Sequence, residues 1–187
     1  MKLSYRHKIR LIVKGIPIVS EHLIILTEEH FKEYGESKFA SEDDFNPFSL
    51  KQEPFLGTFH GYYGREFSIK PKGSFFRKDS TSNSIWIHGK IEPSDTQGIF
   101  LNVSFYRTNA TKYGLWLTKG LLAFTFLILC INALVKAEYY LLILFSATLV
   151  MFYLFILFIL ISQASDQIKY FQKYFLEEIE ESSTLNV

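Results

Sequence analysis

The feature that most constrains this chain is a pair of long apolar runs separated by only three residues, Lys136-Ala137-Glu138. The second run, residues 139–162, carries no charged side chain, and the first is uncharged over residues 120–135. An α-helix rises about 1.5 Å per residue, so about 20 residues cross the hydrocarbon core of a bilayer, which is roughly 30 Å thick. The second run is long enough by itself, and the first becomes long enough when it is extended back to Tyr113.

The extension of the first run includes one cation, Lys119. Its aliphatic stem can lie in lipid while its ammonium group reaches the headgroups. Both boundaries carry aromatic residues of the kind that anchor membrane helices: Tyr113, Trp116, Tyr139 and Tyr140. A buried hairpin in a soluble bundle is the alternative, but such helices normally keep a polar face, and these are apolar all round. The pattern therefore predicts a transmembrane hairpin over residues 112–162, with helices at about 113–135 and 139–162.

The short linker requires the two helices to run antiparallel, so the chain leaves the membrane on the side where it entered. Basic residues flank the hairpin on that side: Arg107, Lys112, Lys119, Lys169 and Lys173. The linker holds only Lys136. Because cytoplasmic segments next to membrane helices are enriched in Lys and Arg, we expect a multi-pass protein of the inner (cytoplasmic) membrane with both termini in the cytoplasm.

Polar residues are rare inside the two spans. Asn132 could bond to a partner helix, which contributes about 1 kcal/mol in model systems, or it could be solvated, because it lies near the far interface. Asp, Glu, His and Arg are absent from the spans, which excludes a proton relay of the usual kind. One copy is too small to enclose a pore, so any pore requires a homo-oligomer.

Residues 1–111 are interpreted as a cytoplasmic β-rich domain. Apolar and basic residues alternate with period two over residues 1–14, which predicts a half-buried strand whose basic face solvates an edge or contacts anionic lipid. In residues 18–38, Ser20 is a plausible N-cap for a helix, although "IILT" could also form a strand.

From residue 54 to 108 the sequence is typical of short strands joined by turns. Four segments alternate or are rich in aromatic residues: "FLGTFHGYY", "REFSIKPK", "SIWIHGKI" and "GIFLNVSFYRT". They predict an antiparallel meander, which the strand at residues 1–14 would complete as a small β-roll or barrel. The expected fold class is therefore an α+β membrane protein, a roll or barrel-like domain followed by a helical hairpin.

Residues 163–187 are predicted to continue the second span as an amphipathic tail helix. Its apolar stripe is formed by Ile168, Phe171, Phe175 and Leu176. The stripe could pack on the β domain or lie along the membrane interface. We favour packing on the domain, because anionic lipid would repel the acidic residues 177–181.

Little in the sequence indicates chemistry. The balance of 20 Lys and Arg against 19 Asp and Glu argues against a nucleic-acid partner, and the single Cys130 cannot form an internal disulfide. The histidines lack metal-ligand spacing, although His7, His60 and His88 fall on predicted strands and could converge. The spacing of the glycines fits no phosphate loop, and no nucleophile motif is present. We therefore predict that the chain is not an enzyme and has no catalytic, cofactor or metal site.

Five cations in the predicted strands and turns are candidates for contacts with a small anionic ligand or a protein partner: Lys70, Lys72, Arg77, Lys78 and Lys90. The alternative is that they only solvate the surface.

The segments "FLGTFHGYYGREFSIKP", "SIWIHGKIEPSDTQGIFLNVSFYRT" and "QIKYFQKYFLEEI", arranged around two apolar spans, resemble uncharacterised bacterial two-helix membrane proteins. The resemblance covers roughly residues 55–180. More distantly, the architecture is similar to two-span membrane effectors of bacterial anti-phage signalling, whose β-barrel senses a cyclic nucleotide. In those proteins the spans commonly precede the barrel, whereas here they follow it.

Three functions are compatible with these features. The first is a membrane-anchored module whose cytoplasmic domain senses a ligand or a protein. The second, implied by the distant resemblance, is a membrane-perturbing effector gated by a nucleotide-like ligand. The third is a membrane-bound enzyme that uses His60 and His88, and it has the least support because no catalytic motif accompanies them.

Overall fold

A computed structural model describes residues 4–40, 55–71, 85–94, 98–136 and 139–185. In chain order the elements are α1 (Tyr5–Ile9), a π-helical turn (Arg10–Lys14), β1 (Ile18–Ile24), α2 (Glu28–Lys38), β2 (Phe39–Ala40), β3 (Phe55–His60), β4 (Glu66–Pro71), β5 (Ile85–Pro93), β6 (Ile99–Arg107), α3 (Asn109–Lys136), α4 (Tyr139–Phe171), a second π-helical stretch (Gln172–Glu177) and α5 (Glu178–Leu185). The predicted α+β composition, with an antiparallel sheet and two long apolar helices, is confirmed.

The strands form one sheet in the order β1-β6-β5-β4-β3-β2. Five of them are antiparallel, and β2 adds two residues parallel to β3. The predicted meander is present, since β3, β4, β5 and β6 are successive neighbours. The sheet is open, however, and the expected closed roll or barrel is wrong. The described part of the segment expected to close it, residues 4–14, does not join the sheet.

Residues 5–14 form a helix instead of the predicted strand. Leu11 and Ile12 are fully buried, so the segment is held by packing that the period-two pattern did not describe. The helix ends at Gly15, which has a φ of 69° and donates its backbone N–H to the Leu11 carbonyl at 3.0 Å. A left-handed glycine with Pro17 two residues later is a common helix terminator, and this was the signal that competed with the alternation.

The predicted helix start at Ser20 is also wrong, because Ile18–Ile24 is strand β1, antiparallel to β6. The helix begins after Thr27, whose side-chain oxygen accepts a hydrogen bond from the backbone N–H of His30 at 3.3 Å. Glu28 and Glu29 follow in the first turn, where negative charge stabilises a helix.

The sheet has two different faces. On the covered face, alternate residues are buried under helices: Phe67, Ile69, Ile85, Ile87, Leu101, Val103 and Phe105. Phe67 lies opposite Gly89 in the β4–β5 register, and its ring occupies the space that a side chain at residue 89 would need. The residues that alternate with these buried ones along each strand point to the other side of the sheet. We call this side the open face, and it presents polar and aromatic side chains.

Helix α4 and its continuation divide into two segments. In the outer segment, residues 139–160, most side chains are exposed, and Met151 is 71% exposed. Both α3 and α4 are long and apolar enough to cross a membrane. The most apolar windows of the two helices are 6% and 0% buried, whereas the core helix of a soluble protein would be mostly buried.

The inner segment, residues 161–179, lies under the covered face. Its residues Ile168, Phe171, Phe175 and Ile179 are buried, as is Leu176. Phe171 packs edge-on against Phe105 with ring centroids 5.9 Å apart, and Phe175 packs edge-on against Phe31 at 5.8 Å. Lys38 of α2 forms an ion pair with Glu178. The prediction that the tail stripe packs on the β domain is therefore confirmed.

Candidate binding site on the open face of the sheet

The open face is the surface that no helix covers within the described part of the chain. It takes alternate residues from five strands, so it follows directly from the strand registers. Several of its large apolar and aromatic side chains are exposed: Val19, Leu23, Phe100 and Tyr106. A sheet face with exposed aromatic side chains beside polar ones is suited to contact another molecule.

Three side chains on adjacent strands form a hydrogen-bonded row at its centre: His60 of β3, Ser68 of β4 and His88 of β5. The Nε2 atom of His60 lies 2.6 Å from Ser68 Oγ, and His88 Nδ1 lies 2.7 Å from the same oxygen. Ser68 is directly opposite His88 in the β4–β5 register, and His60 is its diagonal neighbour on β3. A hydroxyl can donate one bond and accept another, so Ser68 can join the two rings at once.

The electrostatics favour the neutral form of His88. Burial lowers the pKa of His88, and the neighbouring His60 lowers it further, while Glu66 opposes the shift. A neutral imidazole ring can both donate and accept hydrogen bonds. The His88 ring can therefore contact polar groups without first gaining a proton.

Aromatic rings flank the row on the β6 side. The Tyr106 ring meets the His88 ring edge-on with centroids 5.0 Å apart. On the neighbouring strands, the Lys70 ammonium group lies over the Trp86 ring, 5.1 Å from its centroid. This cation–π contact holds the lysine stem along the sheet and leaves a positive charge beside exposed aromatic surface.

The described members of the predicted anion-contact set, Lys70 and Lys90, both lie on this face. Lys90 is 2.8 Å from Glu92 Oε1, and the hydrogen bond and charge of Glu92 raise the pKa of Lys90. Lys72, Arg77 and Lys78 lie outside the described residues. Anion binding at any of the five stays a prediction.

Asn132 lies far from this face, in the distal part of α3. Its side-chain amide donates to the Ile128 carbonyl of the same helix at 3.0 Å, and its side chain is exposed. A contact between Asn132 and a helix of another copy stays a prediction.

Ser68, His60 and Glu66 follow one another in space in the order of the nucleophile, base and orienting acid of a hydrolase. Glu66 Oε2 is 3.7 Å from His60 Nδ1, which is too long for a hydrogen bond, and both side chains are nearly half exposed. Strand β4 lies between β3 and β5, so its backbone N–H groups take part in the ladders of the sheet. The described geometry is therefore a hydrogen-bonded Ser68–His60 pair without a hydrogen-bonded orienting carboxylate.

No group of three or more metal-ligating side chains is present among the residues that the structure describes. His7, which the sequence placed on a strand with the other two histidines, is instead in α1, 2.8 Å from Ser4 Oγ. Sequence reasoning found His60 and His88 but missed Ser68 and Tyr106. Their signal was the strand alternation, which places both on the same face as His88.

A separate groove of about 380 Å³ lies between α3 and α4. It is lined mainly by apolar side chains, with Lys119, Ser146 and Tyr153 as its polar members. The groove belongs to the exposed apolar hairpin and is distinct from the open face.

No protein-family model, no curated protein and no solved structure matches this chain.

Proposed function

We propose that this protein is an integral membrane protein in which a cytoplasmic sheet senses a ligand or a protein and is anchored by the α3–α4 hairpin. The observation that carries the proposal is the continuity of α4. One helix of 33 residues begins in the exposed apolar hairpin and ends, with its continuation, in the core of the sheet domain. Whatever holds the hairpin therefore also holds the sheet.

The polar side chains of the hairpin support its insertion in lipid. Each of five hydroxyl or amide groups donates to the carbonyl four residues earlier in its own helix: Thr118, Thr125, Asn132, Ser146 and Thr148. A polar group in hydrocarbon needs a partner because no water is available there. The four hydroxyl hydrogens and one N–H of Asn132 therefore have acceptors within their own helices.

The sheet is coupled to the hairpin by more than one contact. The β5 backbone N–H of Ile85 donates to Gln167 Oε1 of α4 at 3.3 Å. Strand β4, which carries Ser68 on the open face, carries Phe67 on the covered face, where its ring centroid is 5.7 Å from that of Phe175. A ligand that shifts β4 therefore acts on the helix that continues into the hairpin.

In this proposal the chain binds and does not catalyse. The ligand class that fits the open face is a small anionic molecule or a protein segment with polar and flat groups. Histidine and lysine would contact the polar part, and the Tyr106 and Trp86 rings would contact the flat part. The compartment is the cytoplasmic membrane, with the sheet inside the cell.

Membrane topology is tested by cysteine labelling in a Cys130→Ser background. Tyr62→Cys marks the sheet domain and Lys136→Cys marks the end of α3, and each is exposed to a membrane-impermeant maleimide in spheroplasts. We expect Lys136→Cys to react in intact spheroplasts and Tyr62→Cys only after permeabilisation. The reverse pattern would overturn the orientation, and release of the chain by alkaline carbonate would overturn the anchoring.

Ligand binding is tested by native mass spectrometry of the chain purified from producing cells in detergent. We expect a co-purified adduct on the wild-type chain that is lost in the His60→Ala/His88→Ala variant. The matched control is His7→Ala/His30→Ala, which removes two exposed histidines outside the open face. Equal adduct on both variants would contradict the assignment of the site.

The same cells separate a sensor from a membrane-perturbing effector. A membrane-potential dye should report no depolarisation when the anchored sensor is produced. Depolarisation that disappears in the His60→Ala/His88→Ala variant would instead favour the effector.

A further inference from the structure

We propose that α1 and the π-helical turn after it form a lipid-binding foot, residues 5–14, which binds the anionic headgroups of the leaflet from which the hairpin emerges. The inference rests on the proposed function, since it requires the hairpin to be in a bilayer. It adds a second membrane contact, one that depends on lipid composition.

The foot contacts α4 just beyond the uncharged run. Lys8 Nζ donates to Ser165 Oγ at 2.6 Å, and Ser165 is three residues beyond the end of the uncharged run at Ser162. If about 20 residues from Tyr139 fill the hydrocarbon core, Ser165 lies on the order of 10 Å above it. The headgroup region extends about 5–8 Å beyond the core on each side, so Ser165 lies near its outer edge.

Buried side chains and hydrogen bonds hold the foot at this position. Leu11 and Ile12 are buried in the domain core. Arg107, the last residue of β6, donates from Nη1 to the Ile12 carbonyl at 2.6 Å and to the Val13 carbonyl at 3.2 Å. A side chain at Gly15 would lie 3.0 Å from the guanidinium group, so the glycine leaves room for this contact.

The foot carries exposed positive charge. Arg6, Arg10 and Lys14 are exposed and follow one another at four-residue spacing. Among the described residues, none of the three has a carboxylate within ion-pair distance. Exposed apolar side chains lie beside them: Tyr5, Ile9 and Ile16. Unpaired cations next to exposed apolar groups are the pattern of a helix that lies in an anionic membrane surface.

A bilayer is the occupant that the geometry favours over a protein. The foot shares α4 with the hairpin, so the leaflet is the nearest large surface once the hairpin is inserted. Juxtamembrane cations are attracted by the negative potential of anionic lipid, and that attraction is confined to within a Debye length. Residues 5–14 meet that condition without any movement of the domain.

The test uses the full chain in nanodiscs of phosphatidylcholine alone or with 30% phosphatidylglycerol. Tyr5→Cys in the Cys130→Ser background carries an environment-sensitive nitrobenzoxadiazole probe. We expect its emission to shift to the blue by roughly 10 nm or more in the anionic discs only, because the probe enters the interface. The shift should be lost in 0.5 M NaCl and should persist in 10 mM inorganic phosphate.

Two charge variants complete the test. Arg6→Gln/Arg10→Gln/Lys14→Gln should lose the shift, and Lys70→Gln/Lys90→Gln/Lys173→Gln, which removes the same number of charges elsewhere, should keep it. An equal shift in both kinds of disc, or one insensitive to the foot variant, would overturn the foot. A shift that appears only when cell extract is added would assign the surface to a protein and also overturn it. Co-elution of the chain with the discs reports the hairpin separately, so the foot can fail while the proposed anchoring stands.

Discussion

The outer and inner segments of α4 and its continuation are both rich in Leu, Ile and Phe, yet their surroundings are opposite. In the outer segment Phe155 is 60% exposed, whereas in the inner segment Phe175 is fully buried. The outer segment is apolar all round, and the inner segment has apolar residues on one stripe with charged residues between them. Periodicity, and not the amount of apolar surface, separates a helix segment that the protein covers from one that it leaves exposed.

The largest expected effect comes from truncating a ring in the inner segment. Phe175→Ala should lower the free energy of unfolding by about 3–5 kcal/mol, because it leaves a cavity among the rings that join the sheet to the helix. The matched change in the outer segment, Phe155→Ala, should leave domain stability nearly unchanged. Chemical unfolding in detergent micelles, followed by near-ultraviolet circular dichroism, measures both variants. Equal losses would contradict the distinction between the segments.

A carboxylate should be unfavourable in the outer segment and tolerated at an exposed position of the inner segment. Met151→Asp places a carboxylate near the middle of the outer segment, where insertion of a charged residue costs about 3 kcal/mol. We expect a smaller fraction of the chain to resist carbonate extraction. Lys173→Asp introduces the same group at an exposed position of the inner segment and should leave extraction unchanged. An unaffected Met151→Asp chain would argue that the outer segment does not contact lipid.

Gly→Ala substitutions at two positions compare the packing of the covered face with that of the exposed hairpin. A Cβ at residue 89 would lie 2.0 Å from the Phe67 ring, whereas nothing lies within 4 Å of one at Gly114 in α3. Gly89→Ala should destabilise the domain by about 1–3 kcal/mol through overpacking. Gly114→Ala should be neutral or stabilise its helix by about 0.5–1 kcal/mol. Thermal unfolding of the two variants, in the same detergent, would show whether the signs differ.

The smallest expected effect is pH-dependent and confined to the sheet domain. Burial is the main cause that lowers the pKa of both His22 and His88, with Glu180 opposing the shift at His22. A depressed histidine pKa means that the unfolded chain binds more protons near pH 6.5. The contribution to stability is therefore present above that pH and lost as the pH falls below it.

Unfolding of the chain at pH 7.5 and 5.5 tests this direction. Domain stability should decline at pH 5.5, and the decline should shrink in a His22→Gln/His88→Gln variant. Helicity of the hairpin should not change, because residues 112–162 contain no His or Asp, and their single Glu, Glu138, lies in the linker. Greater stability at pH 5.5 would contradict the assigned direction.

Some elements could be predicted from the sequence and others could not. The strands at 55–107 and the tail stripe were predictable, because alternation and helical spacing are local and each matched the face that packing later buried. The helix at residues 5–14 was not, since the alternation predicted a strand, whereas burial of Leu11 and Ile12 in the core stabilises a helix. The helix terminator at Gly15 and the N-cap at Thr27 are recognisable in the sequence, but the alternation and the helix signal at Ser20 were given more weight.

The candidate site was predictable only in fragments. His60 and His88 could be named together as candidate residues because both fell on predicted strands. Ser68 could not, because alternation places it on a face of β4 but does not distinguish it from other polar residues until the β3–β4 and β4–β5 registers bring it between the two rings. Register depends on long-range pairing, and that information is not contained in any short stretch of residues.

The sequence alone determined that two apolar helices form and that strands precede them, because hydrophobic period and length are properties of the chain itself. Only the tertiary structure decided that the sheet stays open, that the N-terminal segment is a helix against α4, and that the His60–Ser68–His88 row exists. Each of these depends on which buried surfaces meet across distant parts of the chain, and the free energy of that burial outweighs the local preferences that a sequence displays.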